Sequence, residues 1–522
     1  NIVRNLDPLI KELMTSGAKT PEDLAYCKRR FAKKYQIPFP DNIALLKTYH
    51  ELIEGKSIRP STLIEVLLRT RPVRSLSGII NISVLTKPYR CPGKCLYCPI
   101  EKGIPKSYVS GEPAVERAKR LDYDPYLQVK KRIEMLTLEG HPTDKIELRI
   151  VGGTWSYYPR KYQTWFITRC FNACDDRGPT SLNQAQKINE RAKHRIVGLS
   201  IETRPDFITD DEIAKLRKLG VTMVELGVQS IYDDILKKNL RGHGVRETVL
   251  ATQLLKDAGF KVLYQIMPNL YGSSPARDLK MFKTIFTDSR FQPDLLKIYP
   301  CALLKSSPLF NVWRQGSYRP YTEKQLINLV QAIKKNIPRY VRIQRIARDI
   351  PSKSILAGPA KISNLRQLVG GHCKCIRCRE VKGNYDPQEK LYLFRQNYPA
   401  SGGQEIFLSY ENKNRTKLYS LIRLRLIEVR PQSSRPTALI RELHTYGQLQ
   451  PINSDNANDR GPTSIISPQH KGLGKRLIAE AEKISKREFK LKKIAVISGV
   501  GVRGYYRKLG YRLKDTYMVK FI

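Results

Sequence analysis

Three cysteines in a short, irregular segment have the spacing of ligands for an iron–sulfur cluster. Cys91, Cys95 and Cys98 follow the pattern C-x3-C-x2-C within residues 87–99, where prolines and a glycine favour a loop over a helix. Three thiolates can bind three irons of a four-iron, four-sulfur cluster, which leaves the fourth iron open to chemistry. A three-cysteine zinc site and a disulfide cluster are the alternatives, but zinc requires a fourth ligand nearby.

A second cysteine cluster has a different spacing. Cys373, Cys375 and Cys378 follow the pattern C-x-C-x2-C, which supplies three soft ligands of the kind that tetrahedral zinc prefers. We expect Cys301, just after a predicted strand, to be the fourth ligand, with His372 as the alternative. Four protein ligands close a zinc site, so this site is expected to hold a linker between domains. A second redox cluster is the other interpretation.

The chain is strongly basic. Its 522 residues include 93 lysines and arginines but 48 acidic residues, which gives a formal net charge of +45. Such an excess is costly in self-repulsion unless a polyanion takes part, and nucleic acid is the partner we expect. A solvated basic surface is the alternative, and an anionic membrane is disfavoured because no basic amphipathic anchor is evident.

Length and cysteine usage limit the class of protein further. The length predicts three or four domains. The cysteines form tight clusters and no signal peptide is evident, which predicts metal ligation in a reducing, cytoplasmic compartment. No apolar run is long enough to span a bilayer, so we expect no membrane partner. Because the chain begins with Asn1 and not with methionine, we expect it to be a portion of a longer sequence.

Residues 1–75 are predicted to form a small helical module. Apolar residues recur at helical spacing in four segments, namely 5–14, 21–35, 42–54 and 61–68. Dense positive charge at 27–35 and 69–74 suits contacts with RNA phosphates, which give affinity without base specificity. A merely solvated face is the alternative.

Residues 76–345 are predicted to form an α/β domain with a parallel sheet. Short apolar strands alternate with amphipathic helices, a pattern typical of a partial (β/α) barrel. The predicted strands are 78–85, 145–151, 195–201, 223–228, 261–266 and 295–299. Ligands of such sheets gather at the carboxyl ends of the strands.

Residues 346–400 are the expected linker with the second cysteine cluster, and 401–522 are expected to form another α/β domain. Its predicted strands are 404–410, 418–426, 437–443 and 493–499, around one helix at 472–485. The hexapeptide D-R-G-P-T-S, at 176–181 and again at 459–464, is too short to be a structural repeat, and both copies are interpreted as linkers.

The first cysteine loop, with Tyr97 just before its last cysteine, resembles the signature of the radical S-adenosylmethionine (SAM) superfamily. In that superfamily the open iron binds the amino and carboxylate groups of SAM, and an electron from the cluster cleaves SAM to a 5′-deoxyadenosyl radical. The resemblance implies a set of SAM-binding residues at the strand ends. These are Gly152, Gly153, Thr154, Glu202, Gln229 and Arg241. Ordinary turns, helix caps and salt bridges are the alternative.

The segment that opens the last predicted helix resembles the pyrophosphate loop of GNAT acetyltransferases, Q/R-x-x-G-x-G/A. Glycines there let the backbone approach a pyrophosphate at the positive end of the helix. The resemblance implies an acetyl-CoA site formed by Gln469, Lys471, Gly472, Leu473, Gly474 and Lys475. Tyr505 and Tyr506 lie in a tail similar to the GNAT segment whose tyrosine protonates the departing CoA thiolate. We expect both to act on the thioester. The alternative is that one of them has a purely structural role.

A radical SAM barrel joined through a cysteine linker to a GNAT domain resembles the family of the Elongator catalytic subunit, in a stand-alone bacterial or archaeal form. That resemblance implies a tRNA-modifying acyltransferase with a 4Fe-4S cluster, SAM, acetyl-CoA as cosubstrate and a structural zinc. In the mechanism that the resemblance implies, the radical removes a methyl hydrogen from acetyl-CoA, and the carbon radical adds to C5 of the wobble uridine in the anticodon loop. Hydrolysis of the thioester then yields 5-carboxymethyluridine. A reductant protein is a further expected partner.

Two other functions are compatible with parts of the sequence. A protein lysine acetyltransferase with a structural cluster would use the GNAT half alone, but a +45 chain is poorly suited to basic protein tails. An RNA-binding scaffold would explain the charge and leave both cofactor motifs without a role.

Overall fold

The structure is a computed structural model that describes residues 6–175, 178, 180–358, 365–427, 438–450 and 467–522. The second D-R-G-P-T-S copy and three residues of the first lie outside the described residues. In the described part of the chain, no helix has both the length and the apolar character needed to cross a bilayer.

The N-terminal module is helical, as the apolar spacing predicts. Its helices are α1 (Asp7–Thr15), α2 (Pro21–Tyr35), α3 (Asn42–Glu54) and α4 (Thr62–Leu68). Thr20 caps α2, because its hydroxyl accepts a hydrogen bond from the Asp23 N–H at 3.1 Å and the Asp23 carboxylate accepts one from the Thr20 N–H. The apolar stripes of these helices form a separate core that includes Leu9, Ile10 and Tyr49.

A parallel sheet of seven strands forms the central half of the described chain, in the order β1-β2-β3-β4-β5-β6-β8. The strands of this half are β1 (Ile80–Leu85), β2 (Lys145–Val151), β3 (Arg195–Thr203), β4 (Met223–Gln229), β5 (Lys261–Ile266), β6 (Leu295–Ile298), β7 (Leu303–Leu304), β8 (Arg342–Ile346) and β9 (Ile355–Ala357). β1 and β8 are the two edges, so the barrel is open between them. The six predicted strands are confirmed, and β8 is a seventh that the sequence pattern missed.

Helices accompany this sheet, and those between its consecutive strands form the crossover connections that parallel pairing requires. They are α5 (Pro113–Lys119), α6 (Pro125–Leu138), α7 (Arg160–Asp175), α8 (Leu182–Asn189), α9 (Asp210–Leu219), α10 (Asp233–Lys238), α11 (Val245–Asp257), α12 (Pro275–Thr287), α13 (Leu309–Arg314), α14 (Glu323–Asn336), α15 (Leu365–Leu368) and α16 (Ile376–Arg379). The buried faces of the strands and helices meet in one large apolar core.

The C-terminal part of the described chain is a second sheet, in the order β10-β11-β12-β13-β14-β16-β15. Its elements are β10 (Tyr392–Ala400), β11 (Gly403–Glu411), β12 (Leu418–Leu426), β13 (Ala438–Thr445), α17 (Leu473–Arg487), β14 (Lys493–Val496), α18 (Arg503–Arg507), β15 (Arg512–Lys514) and β16 (Tyr517–Phe521). The sheet begins with β10, inside the range 346–400 that the sequence assigned to a linker. β10 is an edge strand with alternate residues exposed and a proline near its end, so its apolar signal is weak.

A buried ionic network joins the two sheets. Arg441 on β13 donates to both oxygens of Asp294, which precedes β6, at 2.9 and 2.6 Å, and to Glu405 on β11 at 2.9 Å. Lys256 at the end of α11 lies 3.3 Å from Asp294. Arg425 on β12 adds contacts to Glu405 at 3.1 Å. Because these side chains are almost completely buried, the network fixes the two sheets against each other.

Candidate functional site

The first cysteine loop follows β1 and lies at the carboxyl edge of the sheet. Arg241 Nη1 donates to Cys95 Sγ at 3.5 Å. Burial acts to raise the pKa of Cys95, but the cation of Arg241 prevails and lowers it. A lower pKa favours the thiolate, which is the form that binds metal.

The spacing between sulfurs separates the two cysteine clusters. Among the described residues, only the linker trio Cys373, Cys375 and Cys378 brings three metal-binding atoms within 4.8 Å of one another. In the first loop, at least one pair of sulfurs is therefore more than 4.8 Å apart. That difference suits ligands of three irons in one cluster, whereas ligands of a single zinc ion lie about 3.8 Å apart for zinc–sulfur bonds of about 2.3 Å.

The turn after β2 brings its glycines to the cysteine loop. Gly152 and Gly153 adopt φ values of +129° and +102°, which residues with a side chain rarely take. The turn places Thr154 Oγ1 3.7 Å from Cys91 Sγ. Of the three predicted residues of this turn, Thr154 therefore contacts the first cysteine.

The other predicted SAM-binding residues lie at the ends of neighbouring strands. Glu202 on β3 accepts hydrogen bonds from Tyr108 Oη at 3.1 Å and Lys297 Nζ at 3.2 Å. Gln229 ends β4 with φ at +69°, a strained value that re-aims its side chain. Arg241 donates through Nη2 to the Gly227 carbonyl at 2.5 Å. The structure therefore brings the barrel candidates together at one edge.

Several buried polar atoms around Arg241 have no hydrogen-bond partner in the described structure. They are Gln229 Oε1, Arg241 Nε, Arg204 Nη1 and His243 Nε2. Buried polar groups are nearly always paired, so unpaired atoms gathered at one site indicate a polar ligand. An iron–sulfur cluster with a bound carboxylate and amine fits this set of groups. The set comprises the guanidinium groups of Arg204 and Arg241, the amide oxygen of Gln229 and the three cysteines of the loop.

A cavity of about 510 Å³ runs along the inner face of the open barrel. Its lining includes Glu202, and also Ser77, whose carbonyl is 2.7 Å from His444 Nε2 on the C-terminal sheet. The cavity therefore reaches from one SAM candidate, Glu202, to a residue that contacts the second sheet.

The cavity wall is rich in arginine. The lining arginines are Arg74, Arg132, Arg149, Arg342, Arg345, Arg348 and Arg377. Five of them have a carboxylate partner within salt-bridge distance. Within the described ranges, Arg132 and Arg377 have none, and burial together with neighbouring arginines lowers the pKa of each to about 10. Uncompensated cations in a cavity favour an anionic ligand.

The linker trio has three ligands close enough for one metal ion, but Cys301 is not among them. Cys301 is buried in an apolar cluster with Cys95 and Tyr318, and burial raises the pKa of its thiol to about 12. The expectation that Cys301 is the fourth zinc ligand is therefore corrected, because its position after β6 places it in an apolar cluster with a residue of the first cysteine loop. His372 is exposed and lies outside the group as well.

The segment before α17 is fastened to the barrel by Gln469. Its Nε2 donates to the carbonyls of Gly78 and Thr445, both at 3.0 Å, and its Oε1 accepts from Lys145 Nζ at 3.0 Å. The side chain that the sequence assigned to acetyl-CoA is thus occupied by protein groups. It fixes the loop to both sheets.

The rest of the loop is shaped to receive an anion. Lys471 and Gly472 are exposed, and Leu473, Gly474 and Lys475 form the first turn of α17, a helix of 15 residues with no acidic residue in that turn. The positive end of a helix with free N–H groups and adjacent lysines binds phosphates well.

The two tyrosines after β14 have different surroundings. Tyr505 Oη lies 3.1 Å from the point where a β-carbon on Gly474 would be, so it faces the loop. Burial raises the pKa of Tyr505 to about 12, which keeps its proton in place at neutral pH. Tyr506 is buried in the apolar core, with its ring 5.8 Å from that of Tyr511.

Sequence reasoning did not single out three polar residues of the site. Lys145 binds the loop residue Gln469, Lys297 binds Glu202 and Glu225, and Arg204 adjoins the cysteine loop. A lysine inside the otherwise apolar strand β6 was the available signal for Lys297. No local pattern distinguished Lys145.

Comparisons with known proteins agree with this arrangement. The Radical SAM superfamily matches residues 85–283, and the Radical_SAM C-terminal domain matches residues 293–374. The tRNA uridine(34) acetyltransferase of Methanocaldococcus infernus is 44% identical over 99% of this chain and 98% of its own length. Elongator complex protein 3 of Schizosaccharomyces pombe is 40% identical over 98% of this chain and 97% of its own.

A solved structure matches as well. The archaeal Elp3 of Methanocaldococcus infernus, with its N-terminal residues 1–46 deleted, has a TM-score of 0.74 and 44% identity, covering 86% of this chain and all of that chain. Identity at this level over nearly whole lengths establishes the family. The chain belongs to the radical SAM family of tRNA uridine(34) acetyltransferases and Elongator complex protein 3.

Proposed function

We propose that this protein is a cytoplasmic enzyme that forms 5-carboxymethyluridine at the wobble uridine of tRNA, using SAM radical chemistry and acetyl-CoA. The relatives named for tRNA uridine(34) support the substrate. The observation that carries the proposal is the arginine-lined cavity, whose wall contains the SAM candidate Glu202 and also Ser77, which contacts His444 of the second sheet. A lysine acetyltransferase would need no such connection.

In this proposal the barrel holds the iron–sulfur cluster and SAM. Cys91, Cys95 and Cys98 bind the cluster, and the strand-end residues bind SAM, namely Gly152, Gly153, Thr154, Glu202, Gln229 and Arg241. When bound, the cluster and SAM would supply the radical chemistry that removes a hydrogen atom from the acetyl methyl group. The walls of the cavity would limit the access of bulk water to that chemistry.

The C-terminal sheet presents acetyl-CoA to the cavity. The N–H groups at the start of α17, with Lys471 and Lys475, bind the pyrophosphate. Tyr505 faces this loop with its proton in place and donates it to the CoA thiolate when the thioester is hydrolysed. Tyr506 supports Tyr505 by packing in the core.

The tRNA is bound by phosphate contacts and by capture of one base. Exposed Arg29, Lys33 and Lys34 on α2 provide contacts outside the cavity. Inside it, Arg132 and Arg377 neutralise the phosphates that flank the unstacked uridine. Anticodon-loop bases leave their stack at small cost, so this capture is feasible.

We also propose that Cys373, Cys375 and Cys378 hold a structural zinc ion. They lie next to β8, where the Ile376 N–H donates to the Val341 carbonyl at 2.9 Å. A metal there would fasten the linker to the edge of the barrel. A non-protein ligand, or a residue outside the described ranges, completes the site.

The test is an anaerobic reaction of the reconstituted enzyme with SAM, a reductant, acetyl-CoA and unmodified tRNA, followed by mass spectrometry of the nucleosides. We expect 5-carboxymethyluridine from the wild type and none from Cys95→Ala. Cys170→Ala is the matched control, because Cys170 is buried in α7 away from the loop and should leave the product unchanged. Unmodified tRNA together with acetylated protein lysines would instead establish the lysine acetyltransferase alternative.

A further inference from the structure

Arg204 follows β3 and is held in one orientation by its neighbour Asp206. Its Nε and Nη2 donate to the two carboxylate oxygens at 2.9 and 2.8 Å, a bidentate pair. The side chain is 6% exposed. The third nitrogen, Nη1, is buried and has no hydrogen-bond partner among the described residues.

That unpaired nitrogen points at the cysteine loop. A β-carbon on Gly93 would lie 2.5 Å from Arg204 Nη1, and 3.5 and 3.6 Å from the sulfurs of Cys95 and Cys91. Only glycine allows the guanidinium to approach so closely. Nη1 therefore lies beside the place where the first two cysteines bind their irons.

Arg241 is already committed to other partners. Its Nη1 donates to Cys95 Sγ and its Nη2 to the Gly227 carbonyl. The motif that suggested Arg241 gave no role to Arg204. The two guanidinium groups nevertheless lie beside the same part of the loop, because Arg241 Nη1 contacts Cys95 Sγ and Arg204 Nη1 lies against Gly93.

A cation at this position acts on the charge of the cluster. An oxidised four-iron cluster with three thiolates is an anion, and reduction adds one more negative charge. Net charge and hydrogen bonds to sulfur set the potential of such clusters. A nearby guanidinium stabilises the reduced state more than the oxidised state, since the reduced state is more negative.

We propose that Arg204 is a positioning residue that faces the iron–sulfur cluster. Its Nη1 donates a hydrogen bond to a sulfur of the cluster, and its charge raises the reduction potential of the cluster. This inference rests on the cluster of the proposed function, but not on the tRNA reaction. The step concerned is the transfer of one electron to the cluster from a low-potential, one-electron donor, without any bond made or broken.

The experiment is a dithionite titration of the reconstituted full chain, followed by electron paramagnetic resonance, without tRNA or acetyl-CoA. For Arg204→Gln we expect the equilibrium constant for reduction to fall about tenfold, equivalent to about 59 mV for one electron. Arg204→Lys keeps the charge and should recover at least half of that shift. Iron and sulfide content are measured in every variant, so that potentials are compared at equal loading.

Asp206→Asn is the second variant and shifts the potential in the opposite direction. It removes the carboxylate that partly neutralises Arg204, so the cluster should become easier to reduce. Unchanged potentials in both variants at full cluster loading would overturn the proposal. A weaker SAM affinity with an unchanged potential would also overturn it, because Nη1 would then serve the SAM carboxylate. Failure of tRNA modification with the expected potentials would count against the proposed function alone.

Discussion

Replacing Arg441 with methionine should destabilise the protein by about 3 kcal/mol. The Arg441 guanidinium is completely buried and donates to Asp294, to Glu405 and to the Phe260 carbonyl at 2.7 Å. Removing one partner from a buried ionic group typically costs about 3–5 kcal/mol. The low end applies here because Lys256 still lies 3.3 Å from Asp294 and 3.6 Å from Glu405.

Urea unfolding of the wild type and Arg441→Met measures this cost. All three tryptophans, Trp155, Trp165 and Trp313, lie in the central half of the chain, so their fluorescence reports the barrel, and far-ultraviolet circular dichroism reports both sheets. The two probes should diverge in the variant, because the two sheets lose their shared network and unfold separately.

Arg395→Gln is the matched control within the second sheet. Arg395 pairs with Glu488 at 2.7 Å, but the two side chains are 33% and 45% exposed, so its loss should cost less than about 1 kcal/mol. The double variant with Asp294→Asn should recover part of the stability lost in Arg441→Met, because it removes a carboxylate left without its main partner. A cost for Arg441→Met no larger than that of the control would refute the view that this network fixes the interface.

Three further outcomes test the remaining parts of the site. Tyr505→Phe should slow acetyl-CoA cleavage about 100-fold by loss of a proton donor, measured as thiol release, whereas equal slowing by Tyr506→Phe would contradict the assignment of the donor. Cys375→Ser should abolish bound zinc in elemental analysis and leave iron unchanged, and zinc retained by the variant would argue against the trio. Burial acts to raise the pKa of Glu442, but the cations of Lys261 and Arg423 prevail and lower this pKa from 4.5 to about 2. Its stabilisation is therefore complete above pH 4.5 and disappears as the pH falls towards 2. The difference in unfolding free energy between wild type and Glu442→Gln, on the order of 3 kcal/mol at pH 7, should shrink by pH 3, and a difference independent of pH would disprove this linkage.

The sequence predicted the barrel well where strands are apolar and poorly where they face the cavity. β1 to β6 carry runs of buried apolar residues, so their periodicity is clear. β8 has the sequence R-I-Q-R-I, and its residues Arg342, Gln344 and Arg345 line the cavity. The polar residues with which this strand lines the cavity also interrupt the apolar pattern by which a strand is recognised in a sequence.

Distant contacts account for the other differences. The sequence identified the linker trio by its spacing, but no spacing reveals that Cys301 packs beside the first cysteine loop. In the same way, the loop motif selected Gln469 and assigned its side chain to the ligand. In the structure that side chain binds Gly78, Thr445 and Lys145, which lie 391, 24 and 324 positions away in the chain.

The positive charge of the chain serves three separate purposes, and only two of them concern a polyanion. Arg423, Arg425 and Arg441 are buried between the sheets and are neutralised by carboxylates, so they add nothing to the surface potential. The exposed cations of α2 and the uncompensated arginines of the cavity are, by contrast, available to phosphate. Net charge alone therefore overstates the electrostatic attraction for tRNA. The location of the unpaired cations, inside the cavity that holds Glu202, indicates where the attraction matters for chemistry.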